Sequence, residues 1–419
     1  MRKFKKKIRR LLGKNYLTKA LLAKYSTYRL NQYYKKMSKK IPVDDKMVIF
    51  EAFFAKKYAC SPKAIYEYML SDPRYKDFTF VWVFRNINDP AIKEIFAGKR
   101  TILLKYKTKK YYRFYARAKY WVTNARIPDC IVKKPEQVYI QCWHGTPLKK
   151  LGWDIEVKGD NALSSNKEVR RQYNHDASRY TYMLSPSRFC TEKLTSAFNL
   201  KALGKEDIMV EKGYPRNDEL FTFDDEKIKA IRARIGIPEG KKVILYAPTW
   251  RDNQHTLGVG YTFDIGIDLK ALRERYGDEY VILMRMHYLI ASKMNLGGVM
   301  DFAIDVSNYN NVNDLYIVSD MLITDYSSVF FDYANLKRPI LFYMYDLDEY
   351  QNNTRDFYIS LDELPGPIIK EEQALSDAIG DITNIRAEYD KKYKAFNDKF
   401  NYLDDANASK RVVETCIKP

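Results

Sequence analysis

The chain's pattern predicts an α/β fold with two doubly wound parallel-sheet domains in tandem. Three observations support this: a length of 419 residues, a strand–helix alternation that pauses at Leu220 to Asp225 and then restarts, and polar clusters placed directly behind apolar runs. A chain of this length exceeds one ordinary core and suits two units of about 150–200 residues. Strands alternating with helices at this spacing argue for βαβ units. With 46% apolar and 30% charged residues, the composition is globular and excludes bulk disorder.

In order, the first half reads as strand Met47–Phe50, helix Pro62–Leu70, strand Thr79–Phe84, helix Thr108–Ala118, and strands Tyr120–Thr123 and Val138–Gln141. The second half reads as helix Glu226–Ile235, strand Lys242–Tyr246, helix Leu269–Tyr276, strand Tyr280–Arg285 and strand Ala303–Val306. It continues with helix Val312–Ser319, strand Met321–Thr324, helix Ser328–Leu336 and strand Pro339–Tyr343. The segment Glu371–Lys418 is charged and helix-prone, and either closes the second domain or crosses back to the first. The expected division is therefore an arm over 1–42, a first domain over 43–221 and a second over 222–419.

Residues 1–40 hold fifteen lysines and arginines and no acid, which is most of the formal charge of +19. Phe4, Ile8, Leu11, Leu12, Leu21, Leu22, Tyr25 and Tyr28 recur every three or four residues among them, as on one face of a helix. A basic amphipathic helix of this kind suits an anionic membrane surface, each basic residue adding about 1 kcal/mol near it. A nucleic-acid-binding arm and a solvated tail are the competing readings. No run of about 18 apolar residues exists, so neither a spanning helix nor a signal peptide is expected. Five cysteines without a C-x-x-C pair point to a reducing, cytosolic setting rather than a disulfide framework.

Ligands of open parallel sheets bind beyond the carboxyl ends of the strands, so the segments there are the candidate site. Thr324-Asp325-Tyr326-Ser327-Ser328 joins a strand to a helix that either serine can cap, and its hydroxyls and amides converge as a phosphate seat. Arg285 and His287 leave one strand end on one face and suit a diphosphate. Thr249 and Arg251 follow Ala247-Pro248, where the proline ends the ladder, and Arg216 lies in Gly213-Tyr214-Pro215-Arg216-Asn217-Asp218. His144 follows Val138–Gln141 within Trp143-His144-Gly145-Thr146-Pro147-Leu148-Lys149-Lys150. His175 and His255 read as surface histidines. No P-loop, G-x-G-x-x-G, H-E-x-x-H or clustered cysteine is present, so no nucleotide triphosphatase, dinucleotide cofactor or tightly held metal is expected.

The order of these motifs, W-H-G-T-P, G-Y-P-R-N-D, A-P-T-W-R, R-M-H and T-D-Y-S-S followed by Phe331-Asp332, resembles the CDP-glycerol glycerophosphotransferase family, enzymes of wall teichoic acid and related polyol-phosphate polymers. The resemblance implies a GT-B-like architecture of two Rossmann-type domains around a cleft. The first half would bind the acceptor and the second the CDP-polyol. It also implies peripheral attachment at the cytoplasmic face of the membrane and an undecaprenyl-linked acceptor, with no nucleic-acid partner. By the family pattern His144 is the catalytic base, His287 a second essential residue, and Arg285, Ser327 and Ser328 match phosphate-contacting positions; Thr249, Arg251 and Asp325, from the strand-end segments, are placed with them at the donor. Gly145, Thr146, Lys149 and Arg216 fall to the acceptor or cleft. CDP-glycerol is the expected donor and a divalent metal is not required. CDP-ribitol, a capsule polymer and a nucleotide-sugar GT-B transferase are the alternatives. The chain departs from the family pattern at Thr354-Arg355-Asp356-Phe357-Tyr358, which lacks a glycine before the aromatic pair.

Overall fold

The structure, a computed structural model, describes residues 16–155, 166–249, 255–256, 260–261, 266–286, 296–348, 350 and 356–419. Strands β1 (Asp44–Glu51), β2 (Thr79–Phe84), β3 (Thr101–Lys105), β4 (Ala118–Thr123), β5 (Val138–Gln141), β6 (Tyr182–Ser185) and β7 (Met209–Glu211) form a parallel sheet in the order β3-β2-β1-β4-β5-β6-β7. After β8 (Lys242–Tyr246) comes a short antiparallel pair, β9 (His255–Thr256) and β10 (Gly260–Tyr261). Strands β11 (Tyr280–Met284), β12 (Ala303–Asp305), β13 (Met321–Thr324), β14 (Ile340–Tyr343) and β15 (Ile368–Ile369) then join β8 in a second parallel sheet, β12-β11-β8-β13-β14-β15. Counted along its own chain, each sheet runs 3-2-1-4-5-6, with a seventh strand at the edge of the first. That order opens a crevice between the first and fourth strands, β1/β4 in one sheet and β8/β13 in the other.

Both sheets are covered on both faces, which is why their strands are continuous apolar runs rather than alternating ones. Met47 and Ile49 of β1 join Val81, Val83 and Trp121 in one core, whereas Val48 and Phe50 join Phe80, Trp82 and Val122 in the other. In the second sheet Val243 and Leu245 face Leu283 and Leu322, while Ile244 and Tyr246 face Ile282 and Ile323. Strands β3, β6 and β7 and the helices Asn166–Arg179 and Arg188–Ala197 fall outside the elements expected from the sequence. The edge strands are short, and the first of these helices, NKEVRRQYNHDASR, is too polar to show a helical stripe.

The C-terminal segment ties the halves together. Helix Ile382–Phe400 places Phe396 and Phe400 in the second sheet's core, with Phe400 4.8 Å from the Phe189 ring of the first half. Helix Ala408–Cys416 then lays Val412, Val413 and Cys416 on the first sheet's core.

At the other end, helix Tyr16–Ser38 docks on the first half through Leu30, Tyr34 and Met37, with Tyr34 fully buried. Tyr25 and Tyr28 of the expected apolar face are 59% and 60% exposed. At about 100° per residue they lie on the side of the helix opposite the docking stripe. The helix therefore has two apolar stripes where one was expected. Phe4, Ile8, Leu11 and Leu12 lie outside the described residues.

Candidate active site

The site begins with backbone geometry after β5. The Cys142 amide extends the ladder to the Thr123 carbonyl at 2.7 Å. Trp143 then takes a left-handed conformation, φ 52°, steadied by its amide donating to Gln141 Oε1 at 3.0 Å. Such a conformation costs a non-glycine residue about 1–2 kcal/mol. The turn brings the His144 ring to the end of β4, where Nδ1 lies 3.0 Å from the Asn124 carbonyl oxygen. A carbonyl only accepts, so Nδ1 carries the proton and Nε2 keeps its lone pair. The Trp143 ring lies 4.4 Å from the imidazole, and Phe53 meets it edge-on at 6.2 Å. The residue is open to the cleft, yet desolvation by the protein around the ring, with the Arg216 charge beside it, pulls the His144 pKa down to about 4 although the Asn124 bond pushes the other way. At neutral pH the imidazole is uncharged.

Asn124 has a second role: its Oδ1 accepts from the Phe53 amide at 2.8 Å. Phe53, Phe54 and Ala55, just past β1, all have positive φ, 47°, 57° and 61°. Arg85 holds this left-handed run from the far side, donating its amide to the Ala55 carbonyl at 2.8 Å and Nε to that of Phe54 at 3.0 Å. Beyond the run, Lys57 faces Arg285 of the second half. Its pKa falls to about 8 through burial and through repulsion by Arg285 and Lys56. Arg285 is itself fixed by Nη1 bonds to the carbonyls of Val306, Ser307 and Tyr309 at 2.7, 3.0 and 2.7 Å, and burial lowers its pKa. Sequence reading overlooked Asn124 and Lys57. Their signals were Thr-Asn at the end of β4, matching Thr-Asp at the end of β13, and Lys-Lys in the loop that follows β1.

Several expected site residues converge. Gly145 lies between the halves: a Cβ there would stand 3.3 Å from Arg216 Nη2 and 3.6 Å from Ser328 Oγ. His144, Gly145, Arg216 and Ser328 thus share one place, and the Arg285 charge of the second half bears on Lys57 of the first. Others depart from expectation. Neither serine caps its helix by side chain: Ser328 holds the N-cap position without such a bond, and the α-helical part, Val329–Tyr333, is five residues long. Asp325 is buried and accepts the Thr249 amide at 2.7 Å, so the two hold each other's loops. Thr146 is buried, behind the cleft rather than lining it.

Arg216 is buried and pairs with Asp332, which removes it from the surface an acceptor would meet. Lys149 sits 5.0 Å over the Tyr350 ring, and Lys150 pairs with Asp356 at 3.0 Å. The stretch Asp356–Tyr358 runs along Leu148–Lys150, with Lys150 and Tyr358 amides donating to the Asp356 and Leu148 carbonyls, each at 2.8 Å. Ser327 is half-buried beside the turn. His287 and Arg251 lie outside the described residues.

Two doubly wound sheets whose strand ends meet at His144, Ser328, Lys57 and Arg285, linked by a C-terminal crossover, define a GT-B-like two-domain protein. Residues 33–418 match the family model for CDP-glycerol:poly(glycerophosphate) glycerophosphotransferases, and the chain belongs to that family. It is 43% identical over 373 residues to the teichoic acid poly(glycerol phosphate) polymerase of Staphylococcus epidermidis, covering 88% of this chain and 50% of that protein. With the teichoic acid glycerol-phosphate transferase of Staphylococcus aureus it shares 39% over 388 residues, covering 91% of this chain and 95% of the other. The chain thus spans about half the length of some curated relatives it matches and nearly all of others. A solved structure of a variant of the wall teichoic acid polymerase TagF soaked with CDPG superposes with a TM-score of 0.85 at 38% identity, over 99% of this chain and 96% of that one.

Proposed function

We propose that the chain transfers glycerol phosphate from CDP-glycerol to a hydroxyl of a lipid-linked acceptor and releases CMP. The observation that carries this reading is the setting of His144, an uncharged imidazole whose Nδ1 proton is held by the Asn124 carbonyl while Nε2 remains a base. Nε2 takes the acceptor hydroxyl proton as that oxygen attacks the β-phosphorus. The bond from the β-phosphorus to the oxygen bridging the two phosphates breaks in line, and CMP departs with that oxygen. Charge on the transferred phosphoryl group and on CMP is met by Arg285, Lys57 and the Ser327–Ser328 hydroxyls. His287, by the family pattern, assists at the diphosphate. The names of the relatives support glycerol as the polyol and teichoic acid as the polymer.

The test is CMP release from CDP-glycerol with a glycerol-phosphate-primed lipid acceptor. His144→Ala should lower the rate by ~10²–10⁴, and near-wild-type turnover would overturn the assignment. Because His144 titrates at about 4, the acid limb of kcat/KM should lie near that pH. The cations at the cleft suit transfer without a metal, and enzyme treated with EDTA should keep its rate.

The basic helix supports attachment to an anionic membrane face: no helix among the described residues is long and apolar enough to cross a membrane, while Tyr25 and Tyr28 point outward among lysines. Flotation with anionic vesicles should be lost when the chain starts at Pro42, and equal binding would sink the membrane reading.

A further inference from the structure

Arg216 reaches both halves of the molecule at once. It lies in the junction between the halves, and its Nη1 donates to the His144 carbonyl of the first half at 2.5 Å. Its Nη2 donates to both carboxylate oxygens of Asp332, 2.5 Å to Oδ1, in the helix that follows the Ser328 turn of the second half. Both partners are nearly out of solvent, with side chains 11% and 7% exposed. Asp332 is also fixed from behind. Asn217 Nδ2 donates to its Oδ1 at 3.2 Å and to Asp404 Oδ2 at 2.6 Å, and Asn335 Nδ2 reaches the same Asp404 oxygen at 3.1 Å.

The arrangement is not the one that best satisfies the guanidinium. Arg216 Nε is buried and has no hydrogen-bond partner, an omission that asks for a reason other than stability. The bonds that are made join the backbone of the histidine to the donor-side helix, and Gly145 leaves room for Arg216 Nη2 and Ser328 Oγ where a side chain would begin. From these contacts we infer that Arg216 and Asp332 are a positioning pair that sets His144 against the Ser328 turn, so that the base is in register only while the two halves are held together. The inference deepens the transfer reading and rests on His144 as its base.

Charge gives the pair a signature that a merely structural tie lacks. Arg216 is the charged group that bears on the imidazole, whose other neighbours are the Phe53 and Trp143 rings and the Asn124 carbonyl. Removing the guanidinium removes repulsion of the imidazolium, so the His144 midpoint must rise.

The experiment titrates His144 by NMR in full-length, histidine-labelled protein, which has four histidines, and measures CMP release alongside. Arg216→Lys keeps the charge but not the fork: the midpoint should stay low while kcat falls at least ~tenfold, with KM for CDP-glycerol changed less than about threefold. Arg216→Met should move the midpoint upward from about 4, with desolvation still holding it below the free value. If that variant does not fold, with Asp332 left buried and unpaired, the paired variant R216M/D332L removes both charges and should show a smaller rise and the same loss of kcat. A midpoint unmoved in the neutral variants, or an Arg216→Lys enzyme within twofold of wild-type kcat, overturns the inference. Should the wild type release no CMP from CDP-glycerol, the transfer reading fails, and the titration alone decides whether Arg216 sets the state of His144.

Discussion

The two crevices of this molecule are built alike and are not equivalent. After β4 the chain reads Thr123-Asn124, and after β13 it reads Thr324-Asp325. In each case Oδ1 of the second residue accepts an amide from the loop after the first strand of its sheet, Phe53 at 2.8 Å and Thr249 at 2.7 Å. The difference is charge. An uncharged Asn124 stands next to His144 and gives it only a backbone carbonyl, so desolvation in the cleft and Arg216 decide the imidazole's state and keep it neutral. A carboxylate at that position would stabilise the imidazolium instead. At the second crevice no histidine among the described residues lies beside Asp325, and a charged acceptor there simply makes a stronger tie to the loop.

The comparison can be broken most severely at Asn124→Ala. The Phe53 amide loses its acceptor, the left-handed run past β1 loosens, and Phe53 no longer braces His144. Stability should fall by about 1–3 kcal/mol, read as a lower denaturation midpoint. The displaced base should cost up to ~10² in kcat.

Lys57→Met comes next. Losing one charge-assisted contact should raise KM for CDP-glycerol about tenfold, with Lys57→Arg restoring it. Since the Lys57 pKa is about 8, the lysine is cationic below that pH. The wild-type kcat/KM should decline above pH 8, and Lys57→Arg should abolish that decline.

Asn124→Asp sharpens the contrast rather than breaking it. The Phe53 tie is kept, but the new carboxylate should raise the His144 pKa by about 1–2 units, moving the acid limb of the rate upward with little change at pH 8. The smallest effect is expected for Asp325→Asn, which keeps an acceptor for Thr249. KM for the donor should rise only about two- to threefold. A larger effect than at Asn124→Ala would mean that the second crevice, not the first, controls the chemistry.

Much of the framework was legible because it follows from burial. Runs such as Thr79–Phe84, Lys242–Tyr246 and Met321–Thr324 match β2, β8 and β13 residue for residue, since a strand covered on both faces must be apolar throughout. The polar helix Asn166–Arg179 and the short strands β6 and β7 carried no such mark. Of the site, the positions of His144, Ser328 and Arg285 at strand ends could be read from the segments that follow apolar runs. Their partners could not, because a hydrogen bond to Asn124 or Asp332 leaves no periodicity.

The sequence by itself determined the α/β class, the restart of the pattern in a second half, and the order of motifs that marks the family. These depend on local spacing and on residue type. Only the tertiary structure decided that Arg216, which reads like an anion-binding residue, is buried against Asp332, that Asn124 holds both His144 and Phe53, and that Lys57 comes under the charge of Arg285. Each of these joins residues about 20 to 230 positions apart, and their charge states are set by burial and by neighbours that exist only once both sheets are folded and closed on each other.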